Sequence, residues 1–103
     1  MRTPQEVERG LSAPDTLGLE TRVQIRKAAV QLLEQMPEGT GRLVIDLGHT
    51  RYIDSAGLGA LMLIQRRAAE RRQAVVLRNP NEEIRFLLVL TKLADLFDID
   101  DAP

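Results

Sequence analysis

The chain has 103 residues, 44% of them hydrophobic and only three aromatic, and a formal charge of −1 from 14 basic and 15 acidic side chains. One domain with an apolar core follows from that length, and general disorder is excluded by the apolar content. The absence of cysteine and the single histidine, His49, exclude disulfide frameworks, thiolate chemistry and His-rich metal sites. Near-neutrality and few aromatics argue against a nucleic-acid surface.

The first twenty residues are charged and lack an apolar run, so they do not read as a secretory signal. No apolar run exceeds five residues, the length of the run at 60–64, far short of the ~20 residues of a membrane span. The expectation is a cytoplasmic protein with no membrane insertion. Residues 1–16 are polar, with Pro4, Gly10 and Pro14, and hold at most a short strand near residues 6–11. The domain proper is expected over residues 17–103.

Apolar positions at three- and four-residue spacing predict a helix over residues 19–36, stopped by Pro37, Gly39 and Gly41. Leu43-Val44-Ile45-Asp46-Leu47 then reads as a strand buried on both faces. A loop over residues 48–54 precedes a second helix starting near Ser55–Gly57, with Leu58, Leu61, Met62 and Gln65 on its inner face. An Arg66–Glu70 pair is expected on its solvent side. Ala74-Val75-Val76-Leu77-Arg78 is a second buried strand. Asn81 is a good cap for a third helix carrying Glu82 and Glu83 in its first turn. A break at residues 91–95 and a short strand at residues 97–99 complete the chain. This alternation predicts an α/β domain, a β-sheet covered by helices through right-handed crossovers.

The most informative segment is Tyr52-Ile53-Asp54-Ser55-Ala56-Gly57-Leu58-Gly59, between a buried strand and a helix. Strand-to-helix turns at the carboxyl edge of such sheets gather sites. Ser55 stands near the cap position, Asp54 just before the positive end of the helix dipole, and Gly57 and Gly59 leave the first turn open to close approach. On the residues alone, Ser55 is either a helix cap or a contact or modification site. A serine-hydrolase elbow is disfavoured because Ile53 stands where G-x-S-x-G needs glycine, and His49 has no evident orienting partner. No Walker motif is present. The arginines at 66, 67, 71, 72 and 78 form a mild basic cluster.

Asp54-Ser55-Ala56-Gly57-Leu58-Gly59 resembles the D-S-[SAT]-G-[LI]-G signature of STAS domains, the anti-sigma factor antagonist family. The strand ending in Asp46-Leu47, and residues 82–97 with their closing Leu96-Phe97, resemble the matching family segments. The resemblance implies a mixed β-sheet covered by helices. It implies a non-enzymatic, cofactor-free regulator of transcription, a monomer or weak dimer. Ser55 would be phosphorylated by an anti-sigma factor serine kinase, which the unphosphorylated protein binds, and a phosphatase would reverse the modification. Asp54, Ala56, Gly57, Leu58 and Gly59 would form the adjacent docking surface. The alternative it leaves is a non-switching scaffold subunit of a stress-signalling complex or of a lipid-transport ABC ATPase. At the N-terminus the chain departs from the family pattern: Leu17-Gly18-Leu19-Glu20-Thr21 replaces a Gly-Glu-Leu-Asp-like turn, so the N-terminal strand is expected to be missing or shortened.

Overall fold

The computed structural model describes residues 7–101. Strands β1 (Glu8–Ser12), β3 (Arg42–Asp46), β5 (Ala74–Arg78) and β6 (Asp98–Asp100) form a four-stranded sheet in the order β1-β3-β5-β6. Two-residue strands β2 (Thr16–Leu17) and β4 (Tyr52–Ile53) form a separate small ladder. Between the main strands run α1 (Arg22–Gln35), α2 (Ser55–Glu70) and α3 (Glu82–Leu90), and a 3₁₀ turn, Leu93–Leu96, leads into β6.

The expected helix-covered α/β sheet is present. In place of a mixed sheet, every ladder among the described residues is parallel. Each main-sheet connection contains a helix long enough to return the chain to the start of the next strand, so no hairpin forms. Because the strand order advances in one direction, right-handed crossovers place all three helices on the same face. The side chains agree. Leu43, Ile45, Val75 and Leu77 enter one core with Ile25, Ala29 and Leu33 of α1, Leu61 and Ile64 of α2, and Ile84 and Leu88 of α3. Val44 and Val76 point to the opposite face.

The N-terminal strand is present, and all five residues of β1 pair with β3. The short strand is β2. Glu6, the start of the region expected to hold a strand, lies outside the described residues. Helix α1 starts at Arg22 rather than at residue 19 because a turn intervenes: the Gly18 carbonyl accepts from the N–H groups of Thr21 and Arg22, at 3.1 and 2.8 Å. At its other end, buried Gln73 donates from Nε2 to the carbonyls of Leu33, Met36 and Pro37 at 3.1–3.2 Å. It adds to the donors these helix-end carbonyls already have, the Met36 N–H on Leu33, Arg71 on Met36 and Thr40 on Pro37.

Candidate functional site

The site is built around one carboxylate. Asp54 is the N-cap of α2, with extended backbone. Its Oδ1 accepts from the Gly57 N–H at 2.9 Å, and its Oδ2 accepts from the Leu19 N–H at 3.2 Å. One side chain therefore satisfies an orphan donor of α2 and ties the turn before α1 to it. The Gly57 N–H is the main reason the carboxyl is held below the usual carboxylate range. Partial burial opposes it, while the Leu19 and Ala56 N–H groups and the Arg22 charge add to it. The Asp54 N–H donates to the Leu17 carbonyl at 3.1 Å, which extends the β2–β4 ladder to the helix.

The glycines fall into two kinds. Gly57 is buried, and a Cβ there would stand 2.1 Å from the Leu17 carbonyl oxygen. Gly18 is also buried, its Cβ position lying 2.4 Å from Asp54 Oδ2, an atom of the capping side chain rather than of the backbone. Gly59, two residues further along α2, is exposed and would meet nothing within 4 Å. Gly57 thus serves the approach of β2 to α2, and only Gly59 opens the surface.

The cap reading of Ser55 does not hold, because Asp54 fills that role and Ser55 is the first residue of the helix. Ser55 is exposed, and its hydroxyl has no hydrogen-bond partner among the described residues. It opens onto a groove of about 450 Å³ between α1 and α2, lined with Arg22, Val23, Arg26, Ala56, Gly59 and Leu63. Arg22 and Arg26 form no ion pair among the described residues. Leu58 is half-buried against the core, whereas Met62, expected inside, is exposed, and Ile64 takes the inner position.

Sequence reasoning missed Arg22, Val23 and Arg26. The signal was available in the strand order: unidirectional right-handed crossovers set α1 beside α2, so their first turns are neighbours. The basic cluster that was singled out is partly structural. Arg71 donates to the Met36 carbonyl at 2.8 Å, and Arg78 pairs with Asp100 at 3.1 Å. Arg66 and Glu70 do not form the expected pair within 4.0 Å. His49 is exposed, on the β3–β4 connection, and among the described residues no three metal-ligating side chains come together. Among the described residues no helix is long and apolar enough to cross a membrane.

The family model described as "Mlab, STAS domain" matches residues 6–98. The chain is a STAS domain. The match begins ahead of β1 and ends at the first residue of β6, so it takes in three of the four main strands and all three α-helices. A STAS-domain containing protein of Pseudomonas aeruginosa is 34% identical over 58 residues, 56% of this chain and 57% of that relative, so the match spans little more than half of either protein. Among solved structures, a candidate anti-sigma factor antagonist from Thermotoga maritima superposes with a TM-score of 0.73 at 25% identity, over 90% of this STAS domain and 80% of that chain. The anti-sigma factor antagonist SpoIIAA in its unphosphorylated form gives 0.69 at 19% identity, over 100% and 86% of the two chains. The latter likeness is one of fold.

Proposed function

We propose that this STAS domain is a serine phosphoswitch of the anti-sigma factor antagonist type, acting in the cytoplasm on transcription. Unphosphorylated, it binds an anti-sigma factor serine kinase through Ser55 and the adjacent surface of Asp54, Ala56, Leu58 and Gly59, with Gly57 supporting that surface from beneath. Phosphorylation of Ser55 releases the kinase, and a phosphatase resets the switch. The observation that carries this reading is the division of labour at the start of α2: Asp54 caps the helix, which leaves the neighbouring Ser55 hydroxyl exposed and unpartnered at the mouth of a groove.

The physical chemistry of the switch is local. A phosphate adds about −1.5 to −2 charges. It would stand next to the ionised Asp54 carboxylate, so an apposed partner surface would meet both like-charge repulsion and a desolvation cost. The helix N-terminus and the cations Arg22 and Arg26 favour the phosphate within the domain itself, so the fold need not open.

The deciding experiment is mass spectrometry after incubation with the cognate kinase and ATP, with Ser55→Ala as control. Phosphate on Ser55 alone is expected. An unmodified Ser55, or modification elsewhere, would reject the switch and leave the scaffold reading, in which Ser55→Asp does not abolish partner binding.

A further inference from the structure

Helix α3 is two-faced in an unusual way. Ile84 and Leu88 are buried in the core, while Phe86, Val89 and Leu90 on the opposite side are 66, 60 and 66% exposed. Tyr52 of β4, 58% exposed, extends the same patch across a groove of about 290 Å³. That groove is lined by Arg51, Tyr52, Ile53, Glu83, Phe86, Leu87 and Leu90. Four large apolar side chains clustered on one face of a small domain mark an interaction surface.

We propose that this face binds a second copy of the same chain, with two α3 helices antiparallel across a two-fold axis and each Phe86 seated in the other's groove. Self-complementarity is the first argument. An isologous contact requires a projection and its recess on one surface, and here the exposed aromatic and the apolar groove adjoin. Charge is the second. On α3, Glu82 and Glu83 flank the exposed face at the N-terminal end, and Lys92 follows the C-terminal end. None of the three has an ion pair among the described residues. An antiparallel arrangement sets the acids of each copy against the lysine of the other and opposes the two helix dipoles. A parallel one would set acid against acid. Area is the third. Given 150–250 Å² for a whole aromatic side chain, the apolar patch and its charged rim present about 600 Å² per copy, or about 1,200 Å² for a pair. That lies at the lower edge of standard interfaces and fits a reversible dimer.

The contact does not depend on Ser55 being a phosphoacceptor, and Ser55→Asp is expected to leave it unchanged. Sedimentation velocity of the full chain, from the low micromolar to the high hundreds of micromolar, should show a monomer–dimer equilibrium. Phe86→Glu and Leu90→Lys should each weaken it at least ~10-fold without changing the circular dichroism spectrum. If one of them disturbs the fold, the other carries the test. The Glu82→Lys/Glu83→Lys variant and Lys92→Glu should each self-associate more weakly than the parent. Their equimolar mixture should recover dimer, because only the heterodimer restores both charge contacts. A monomer at every concentration, a dimer indifferent to Phe86→Glu and Leu90→Lys, or a mixture that recovers nothing would overturn the proposal.

Discussion

Replacing Gly57 with alanine tests the construction of the site most directly, because the sign of the effect opposes intrinsic propensity. In an unconstrained helix interior, alanine is favoured over glycine by up to ~1 kcal/mol. At Gly57 the new methyl would lie 2.1 Å from the Leu17 carbonyl oxygen, 2.7 Å from its carbon and 3.1 Å from Ile53 Cγ2. Two of these atoms are backbone and cannot swing away. Relief requires β2 to move from α2 by about an ångström, a shift typical of overpacked cores that cost about 1–3 kcal/mol. That movement also strains the 3.1 Å bond from the Asp54 N–H to the Leu17 carbonyl. The net expectation for Gly57→Ala is a loss of about 2 kcal/mol, or roughly 8–16 °C in melting temperature for a domain of this size. Gly59→Ala is the internal control. Nothing lies within 4 Å of its Cβ position, so it should gain about 0.5–1 kcal/mol. Urea titrations followed by circular dichroism measure both. A Gly57→Ala protein as stable as the parent would refute the close-approach argument, and equal shifts in both variants would refute the distinction between the two glycines.

Three further outcomes follow from the same structure. The folded-state pKa of Asp54 lies below its unfolded value, so its ionised form contributes stability above a pH of about 3.9 and loses that contribution as pH falls through the lower folded-state value. Asp54→Asn should therefore reduce stability at neutral pH and narrow the difference from the parent under acid, as urea midpoints across that interval will report. Gln73→Ala removes one donor from each of the Leu33, Met36 and Pro37 carbonyls, which keep the Met36 N–H, Arg71 and Thr40 as partners, and should cost about 1 kcal/mol by chemical denaturation, the net worth of a hydrogen bond rather than of an orphaned acceptor. Ser55→Asp should shift the melting temperature by no more than a few degrees while abolishing kinase binding in a calorimetric titration; a large loss of fold would contradict a surface-only switch.

Much of the fold was legible because its signals are dense. The strand at residues 74–78 is a short apolar run, Ala74 to Leu77, ended by Arg78 and the Asn79-Pro80 turn, and it forms over the same residues. Asn81 caps α3 through Oδ1, which accepts from the Ile84 N–H at 2.8 Å. Strands β2 and β4 were not legible, because two residues carry no period. They exist because Thr16 and Leu17 meet Tyr52 and Ile53 in space. Strand β1 was underweighted for a related reason: Glu8, Arg9, Gly10 and Ser12 are exposed, so little apolar alternation marks the edge of the sheet. At the site, the six-residue signature marks a segment but does not assign the cap within it. Asp54 and Ser55 are both competent caps by type, and only the Leu19 and Gly57 N–H groups, brought from two elements, decide between them. Arg22 and Arg26 belong to the groove through topology alone, which no local window contains.

The same contacts bear on why a regulator of this kind would place its serine here. The ionised Asp54 carboxylate is held by N–H groups from two segments, Gly57 sits against the Leu17 carbonyl, and the small ladder β2–β4 binds both segments together. The start of α2 is therefore fixed by contacts that Ser55 does not make. A group added to Ser55 adds charge and volume to the surface without removing a single hydrogen bond from the domain. Had Ser55 been the cap, its modification would have removed the hydroxyl acceptor from the helix end and coupled the chemical change to fraying of α2. With Asp54 as cap, fold stability and surface charge vary independently. In the proposed switch, phosphate then changes partner affinity without touching the fold, and salt should weaken the like-charge part of the difference between the two forms.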